Sequence, residues 1–394
     1  MPSVDVAVVG GGPVGLATAI AARLRDLSVV VLERQTPPID KACGEGLMPA
    51  GVAARARLGV DLPERSRPLR GIRYLSDGLV AEADFPAGAR GRGVCRKALH
   101  QALVTRAAAL GAELRFATKV EAIVDGAVLA AGEAIRPRFL VGADGLHSAI
   151  RQAGDFGARK RRANAADRFG VVRHFRIPPW SERVEVTFGD RAEAYVTPLA
   201  EDEIGVALLW SGGKADFDTL LRERLPRALA ERLAAASVVP ATGVRSPDRG
   251  AGPFRQRVAR RVDRRQRNLA LVGDAAGYVD ALTGEGLSLG FECAEALASA
   301  IACDDLPGYE RQARRLAALP DRLTRIALFA ARRPALRRRL VSALARDPAL
   351  FSSLLGLLGM RRGCAELKAR DALGAARLLG RLAFSTPTAS SGRA

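Results

Sequence analysis

The chain has 394 residues, of which 48% are hydrophobic and 5% aromatic, and its formal net charge is +19. This length allows two domains or one large elaborated domain with a substantial core. The positive charge does not predict nucleic-acid binding, because aromatic residues are few and no basic stripe is interleaved with stacking side chains. The positive charge could instead attract an anionic membrane surface or an acidic partner.

The spacing of the cysteines and the hydropathy of the chain bear on the cellular compartment of the protein. Five cysteines are scattered without paired ligand spacings, which argues against a disulfide framework and a metal site and favours a reducing environment. The first apolar strand begins close to Met1, and no uncharged apolar run reaches membrane-spanning length. We expect a cytoplasmic protein without a signal peptide.

The first segment predicts a strand, a glycine turn and a helix. An apolar strand over 4–9 leads into Gly10, Gly12 and Gly15, which have the G-x-G-x-x-G spacing of dinucleotide-binding turns. A helix over about 14–25 then directs its free N–H groups at a pyrophosphate. The alternative is a glycine-rich turn without a ligand.

A second strand supports the dinucleotide interpretation. Residues 29–32 form a continuous apolar run, typical of a buried parallel strand. Glu33 and Arg34 follow it, and a carboxylate at this position can accept hydrogen bonds from ribose hydroxyls.

The loop over 41–51 contains Cys43, Glu45 and three glycines that let backbone approach a ligand closely. It is either a buried turn or a wall of the cofactor site. A hairpin over 71–85 follows, and then a helix over 97–110 with Arg96 at its first turn, where a guanidinium could contact phosphate or remain solvated.

Short strands over 113–116, 120–124, 127–129 and 139–141 complete the first half. Asp144 comes next, placed either as a helix cap or as a carboxylate for a ribose hydroxyl.

Alternating strands over 169–177, 184–188, 192–196 and 204–210 predict a separate antiparallel sheet, one wall of a substrate cavity. Its aromatic residues could line that cavity or fill the core: Phe175, Trp180, Tyr195 and Trp210. His174 fits a packed residue better than a base. Helical patterns over 217–233 follow.

A glycine- and arginine-rich segment over 250–267 returns the chain to the first domain. A buried strand then ends at Gly273 and Asp274, and a long apolar helix begins near Gly284 and Gly286. From Tyr309 onward the chain is helical and basic, which predicts either a helical cap or a peripheral contact with a membrane or carrier protein.

Three motifs, in this order, resemble those of the FAD-dependent oxidoreductase superfamily, which includes aromatic-ring monooxygenases and geranylgeranyl reductases. They are the glycine turn with Glu33, Asp144 with Gly145, and Gly273 with Asp274. The resemblance covers roughly residues 4–305. It implies an α/β fold with a Rossmann-type FAD-binding domain, an inserted antiparallel-sheet substrate domain and C-terminal helices. The predicted segments are 1–70, 93–168 and 255–308 for FAD binding, 71–92 and 169–254 for substrate, and 309–394 for the helices.

The resemblance also implies roles for single residues. Glu33 would bind the adenosine ribose, Arg96 the pyrophosphate, and Asp274 the ribityl-phosphate side of FAD. Asp144 with Gly145 would serve both FAD and NAD(P)H. Candidate catalytic residues are Cys43, Glu45 and Tyr195, to which neither the sequence nor the resemblance assigns a particular role.

We predict an NAD(P)H-driven monooxygenase that hydroxylates a small aromatic or polyketide-like molecule through a flavin hydroperoxide. The alternative is a reductase or dehydrogenase of an unsaturated, lipid-like substrate, because the loops at Cys43 and Thr283 look like the reductase branch. Tyr195-Val196-Thr197-Pro198 departs from the aromatic substrate strand of that branch. Halogenation and flavin binding without catalysis are weaker alternatives.

Overall fold

The computed structural model describes residues 3–124, 126–157, 159–160, 167–240, 247–254, 256–266 and 268–359. The last part of the predicted C-terminal helical region, residues 360–394, lies outside the described residues. The helices are α1 Pro13–Arg23, α2 Pro49–Arg57, α3 Arg96–Ala109, α4 Ala149–Ala153, α5 Phe217–Glu223, α6 Arg227–Leu233, α7 Gly286–Ala302, α8 Leu306–Ala331, α9 Pro334–Arg346 and α10 Pro348–Gly359.

The strands of the first half are β1 Val4–Val9, β2 Val29–Leu32, β3 Gly46–Leu47, β4 Ser66–Leu69, β5 Gly71–Ser76, β6 Leu79–Asp84, β7 Gly91–Val94, β8 Glu113–Arg115, β9 Val120–Val124, β10 Ala127–Ala130, β11 Glu133–Ile135 and β12 Pro137–Gly142. Those of the second half are β13 Arg159–Lys160, β14 Arg168–Arg176, β15 Arg183–Phe188, β16 Ala192–Pro198, β17 Glu203–Ser211, β18 Ser237–Val238, β19 Arg249–Phe254, β20 Arg257–Val258, β21 Leu269–Leu271 and β22 Gly277–Tyr278.

A five-stranded parallel sheet carries the first motifs, in the order β21-β12-β1-β2-β8. Along β1, Val6 and Val8 pack on α1 and α7, while Ala7 and Val9 pack toward the antiparallel strands β9 to β11. Both faces of the sheet are therefore covered, which explains why its strands are continuous apolar runs. The carboxyl ends of β1, β2, β12 and β21 meet at one edge.

The second large sheet has the order β18-β14-β17-β16-β15-β5-β6, with β19 paired to β14. The predicted strands are all present, and the hairpin β5–β6 joins them. One pair, β5 with β15, is parallel, so the sheet is mixed rather than wholly antiparallel. Strands β5 and β15 are far apart in the sequence and no tight turn joins them, so nothing imposes the antiparallel direction that a hairpin requires. Helices α5 and α6 cover one part of the sheet, and α9 and α10 pack on β5 and β6.

Two local details differ from the expectations. The loop over 41–51 contains the short strand β3 and the start of α2, neither of which was predicted. The helical pattern over 217–233 is two helices, because Pro226 lies between them as the N-cap of α6. The division of the chain into domain segments stays a prediction.

Among the described residues, no single helix has both the length and the apolar composition to cross a membrane. One bent pair, Pro334–Arg346 with Pro348–Leu357 at 108°, satisfies those two criteria together.

Candidate active site

The glycine turn after β1 is shaped by close backbone contacts. Gly10 has φ +110°, and a Cβ there would lie 2.5 Å from the carbonyl oxygen of Ala143. A Cβ at Gly15 would lie 1.9 Å from the carbonyl oxygen of Gly10. At Gly12, by contrast, a Cβ would meet nothing within 4 Å. Gly10 and Gly15 thus let strand and helix pack closely, while Gly12 faces open space.

Glu33 is held in place at the carboxyl end of β2. Its Oε2 accepts a hydrogen bond from the amide of Gly11 and its Oε1 from the amide of Gln35, each at 2.8 Å. The carboxylate is therefore fixed beside the glycine turn with lone pairs left for a further donor.

His100 braces the same turn and was missed in the sequence. Its Nδ1 accepts from the amide of Ile39 at 3.3 Å, so its Nε2 donates to the carbonyl of Gly11 at 2.8 Å. Burial lowers the pKa of His100, which favours this neutral form. A single histidine inside an amphipathic helix carries no local signal of such a role.

Two helices begin at one cavity. The first turns of α1 and α7 line it, and neither helix has a side-chain cap at its N-terminus. They approach closely because Gly290 has no side chain, since a Cβ there would lie 2.4 Å from Cγ2 of Val14. Two sets of free N–H groups and two positive dipole ends therefore face the same space.

A half-buried cation, Arg96, and a half-buried anion, Asp144, also face this cavity. Nε and Nη1 of Arg96 are buried and have no hydrogen-bond partner among the described residues. Oδ2 of Asp144 accepts from the amides of Ala149 and Ile150 at 2.7 and 3.2 Å, whereas its buried Oδ1 has no described partner. Buried polar groups normally have partners, so both point to a bound molecule with an anion and a hydroxyl donor.

The cavity has a volume of about 1280 Å³. Nearly all predicted site residues line it, whereas Gly15 lies behind the turn. Those that line it are Gly10, Gly12, Glu33, Arg34, Cys43, Glu45, Arg96, Asp144, Tyr195, Asp274, Gly284 and Gly286. It exceeds the usual range for one small ligand, about 300–1,000 Å³, and has room for a dinucleotide and a second molecule.

The loop after β21 is held by a buried arginine on α4. Gly273 and Asp274 lie in a short 3₁₀ turn that lines the cavity. Arg151 is buried and donates to the carbonyls of Ala275 and Leu146 at 2.7 and 2.8 Å, which ties this turn to the one that holds Asp144. The sequence reasoning did not single out Arg151, which lies at the end of the Asp144 motif.

Glu45 links the loop to the second sheet. It is buried with φ +57°, and its Oε1 accepts from the amide of Arg96 at 2.8 Å. Its Oε2 lies 2.7 Å from Nε2 of His174, whose Nδ1 lies 3.1 Å from Oε1 of Glu203. Burial alone would lower the pKa of His174, but hydrogen bonds to Glu203 and Glu45 outweigh it and raise the pKa to about 10. A histidine held as a cation is not a base at neutral pH.

Donor atoms of Glu45, Cys95 and His174 lie within 4.8 Å of one another. We assign no metal to this group. Ligand atoms around a tetrahedral zinc ion are roughly 3.3 Å or more apart, whereas the histidine and glutamate atoms are at hydrogen-bond distance.

Two other catalytic candidates are kept protonated by their surroundings. Burial raises the pKa of the Cys43 thiol, which accepts a long hydrogen bond of 3.4 Å from the amide of Glu45. Burial also raises the pKa of Tyr195, whose hydroxyl donates to the carbonyl of Leu282 at 3.4 Å. Of the aromatic residues on this sheet, Tyr195 lines the cavity, whereas Phe175 and Trp210 are core residues.

The far end of the cavity is mainly apolar. Its walls come from β5, β15, α8 and the loop before α7, and include Ile72, Tyr74, Val184, Val186, Val279 and Leu282. Burial raises the pKa of Tyr74 to about 12, and its ring stacks on that of Phe351 with centroids 5.0 Å apart. This end suits an apolar molecule with few polar groups.

A buried ion-pair group adjoins this wall, and its Asp280 lines the cavity. Nη2 of Arg168 is 2.9 Å from Oε2 of Glu193 and 3.2 Å from Oδ1 of Asp280, which also accepts from the amide of Leu282. The group joins strand β14 to the loop before α7. The sequence reasoning missed it, and the one signal was a carboxylate, Asp280, inside an otherwise apolar loop.

Comparison with known proteins assigns the class. A family model described as FAD binding domain matches residues 3–305. The chain belongs to this family, and the orphaned Arg96 and Asp144 atoms, the open space at Gly12 and the two uncapped helices fit FAD as its cofactor. It is an FAD-dependent oxidoreductase.

Two curated relatives and one solved structure are similar to this chain, each over a different share of its length. The chain is 29% identical to menaquinone reductase of Mycobacterium tuberculosis over 77% of its length and 78% of the relative's. It is 32% identical to ubiquinone hydroxylase of Rhodospirillum rubrum, over 39% of this chain and 40% of that one. The structure of a flavoprotein/dehydrogenase from Cytophaga hutchinsonii is 15% identical with a TM-score of 0.77, covering 96% of this chain and 98% of the other, and shares the fold.

Proposed function

We propose that this chain is an NAD(P)H-driven monooxygenase that hydroxylates a small aromatic molecule, with quinone-like or polyketide-like rings as the substrate class. One observation carries the proposal: a single cavity runs from the glycine turn to an apolar chamber between the second sheet and α8. The similarity to a ubiquinone hydroxylase supports both the reaction and the ring type.

The residues of the first sheet would hold the cofactor. Glu33 would accept hydrogen bonds from the adenosine ribose, and Arg96 would bind the pyrophosphate together with the first turn of α1. Asp144 and Asp274 would accept from hydroxyl groups. The first turn of α7, at Gly286, would face the ring system, where a positive dipole end stabilises negative charge on reduction.

Bound FAD supplies two-electron transfer from NAD(P)H and activation of dioxygen. The chain's own contribution at the chamber is to orient a ring and to exclude water. Tyr195 and Tyr74 remain protonated at neutral pH. The Tyr195 hydroxyl already donates to the carbonyl of Leu282, so it could accept a hydrogen bond from a substrate hydroxyl, whereas the Tyr74 hydroxyl could donate one to a substrate oxygen. Apolar side chains from β5 and β15 cover the rest of the chamber.

A second candidate is a reductase of an unsaturated, lipid-like molecule. Two observations favour it: the similarity to menaquinone reductase extends over about three quarters of both chains, and the protonated Cys43 thiol lines the cavity. In such a reaction a hydride would add to one carbon of a double bond, and Cys43 could donate the proton to the other carbon.

Turnover in ¹⁸O₂ separates the two candidates. FAD-loaded protein is incubated with NAD(P)H and a panel of quinones, phenols and prenylated lipids, and the products are analysed by mass spectrometry. Incorporation of one ¹⁸O atom supports the monooxygenase. A product with two hydrogens added across a carbon–carbon double bond, formed equally well without oxygen, would overturn it in favour of the reductase.

The variant Cys43→Ala adds an independent test. It should leave hydroxylation within about threefold of the wild-type rate but slow double-bond reduction by roughly 100-fold or more, the usual range for loss of a general acid. Cys303→Ala, at an exposed cysteine outside the cavity, is the matched control.

A further inference from the structure

Helix α8 presents two different faces. Ala317, Asp321 and Thr324 line the cavity, and the hydroxyl of Thr324 lies 2.9 Å from that of Thr283 in the loop before α7. The opposite side is solvent-exposed and carries large apolar side chains. One helix therefore separates the substrate chamber from the surroundings.

The exposed apolar side chains of α8 form one stripe. Leu319, Ile326 and Phe329 are 42%, 51% and 54% exposed. At 100° per residue they fall within about 80° of one another around the helix axis. Large apolar side chains that lie singly on a surface need no explanation, but three on one stripe of one helix indicate a contact.

Arginines interleave with this stripe. Arg315, Arg322 and Arg325 are exposed and project into the same half of the helix. We call this set of three apolar residues and three arginines the outer face. The two carboxylates within α8 lie elsewhere, since Glu310 is buried and paired with Arg314, and Asp321 lines the cavity.

We propose that the outer face of α8 docks on an anionic membrane surface. Arginine heads bind lipid phosphates, while the apolar stripe enters the boundary between headgroups and acyl chains. The guanidinium of Arg333 lies 3.7 Å from the ring centroid of Phe329, which places a cation beside the most exposed of the three apolar side chains. The net charge of +19 adds long-range attraction to the same surface.

A membrane explains this face better than an acidic protein does. Large apolar side chains and exposed arginines lie together on this half of the helix, the combination that interfacial helices present to anionic lipid, and no carboxylate of α8 lies among them. The consequence for the enzyme rests on the proposed function: a quinone-like or lipid-like substrate would leave the bilayer beside the helix that walls the chamber.

Vesicle flotation tests the proposal without any need for turnover. FAD-loaded protein is mixed at low salt with vesicles of phosphatidylglycerol and phosphatidylcholine, or of phosphatidylcholine alone, and the floating fraction is followed by flavin absorbance. We expect the protein to float with the anionic vesicles and to be released by salt. Absence of flotation with anionic vesicles would refute the docking face, whatever the outcome of the turnover assay.

Paired variants locate the contact. Arg322→Gln/Arg325→Gln should weaken partitioning on the order of 20-fold, at about fivefold per arginine. Ile326→Ser/Phe329→Ser should weaken it as well. Reduction of the flavin by NAD(P)H in solution should stay unchanged in both, since none of these residues lines the cavity.

Matched controls remove exposed arginines and an exposed apolar side chain at positions outside α8. Arg222→Gln/Arg227→Gln changes two exposed arginines on α5 and α6, and Val124→Ser changes an exposed apolar residue on β9. If controls and outer-face variants lose equal affinity, adsorption follows net charge alone and the proposal fails. If Ile326→Ser/Phe329→Ser instead converts a dimer to a monomer in light scattering, the occupant of the face is a second copy of the chain.

Discussion

Two guanidinium nitrogens of Arg96 are buried beside the glycine turn without an acceptor among the described residues. A buried cation of this kind is costly in the apoprotein and favourable once an anion binds. We predict that Arg96→Met weakens FAD binding by roughly 10- to 100-fold, equivalent to about 1.5–3 kcal/mol for hydrogen bonds to a charged group. Fluorescence titration of apoprotein with FAD measures this.

The same substitution should leave the apoprotein at least as stable as wild type in urea, because it removes the uncompensated charge. Arg136→Met, at an exposed residue away from the cavity, serves as the control for both measurements. A variant that unfolds more easily but binds FAD normally would show that Arg96 has a structural role.

His174 makes stability depend on pH. Its pKa is raised from 6.5 to about 10 by the hydrogen bonds to Glu203 and Glu45, which outweigh burial. A group whose pKa is higher in the folded state stabilises that state fully when the pH is below its unfolded-state pKa. For His174 this contribution is lost as the pH rises through 10. We predict that His174→Gln lowers the free energy of unfolding on the order of 2 kcal/mol at pH 6, after allowance for partial solvent screening.

The destabilisation caused by His174→Gln should shrink between pH 6.5 and 10. Urea unfolding of FAD-loaded wild type and variant across this range checks the trend. His147→Gln, at an exposed histidine, is the comparison, and its FAD content is checked by flavin absorbance because His147 lines the cavity. A constant difference at all pH values would mean that His174 contributes by packing alone.

At the scale of elements, two glycines at the start of α1 have different roles: we expect Gly15 to matter for folding and Gly12 for FAD binding. A methyl group at Gly15 would meet backbone of Gly10, whereas at Gly12, where φ is −68° and ψ is 173°, it would enter open space. We predict that Gly15→Ala destabilises the apoprotein by about 1–3 kcal/mol, the usual cost of overpacking.

Gly12→Ala should fold with near wild-type stability and lose FAD, because its methyl group occupies the space that we assign to the pyrophosphate. Thermal unfolding of apoprotein and FAD retention on gel filtration distinguish the two variants. Gly213→Ala, at another glycine with open space around its Cβ position, controls for the general effect of replacing glycine. Normal FAD retention by Gly12→Ala would argue against this placement of the cofactor.

At the scale of the whole molecule, Arg168 connects the second large sheet to the loop before α7 through Asp280. Its side chain and those of Glu193 and Asp280 are 5%, 6% and 1% exposed. We predict that Arg168→Met lowers the free energy of unfolding by about 3–5 kcal/mol, because it leaves two buried carboxylates without their cation. Chemical denaturation measures the change.

An exposed ion pair on the same strand gives the matched comparison. Arg176 pairs with Asp202 at 2.5 Å, with side chains 53% and 45% exposed, so Arg176→Met should cost about 1 kcal/mol or less. Equal losses from the two variants would contradict the assignment of Arg168 as the link between the second sheet and the loop before α7.

Short-range features were determined by the sequence itself. The spacing of Gly10, Gly12 and Gly15, the apolar run before Glu33 and the turn at Gly273 each depend on a few consecutive residues, and the structure contains the strands and helices that they predict. Periodicity also predicted the strands of the second sheet. Such features follow from local sterics and from alternation of apolar residues, which act within one element.

The tertiary structure alone decided the pairings between distant residues. Glu45 meets His174 across 129 positions, and Arg168 meets Asp280 across 112. The parallel pairing of β5 with β15 and the division of α8 into a cavity face and an outer face likewise depend on which elements become neighbours. Local patterns show that a side chain is polar or apolar, but topology determines which partner it finds.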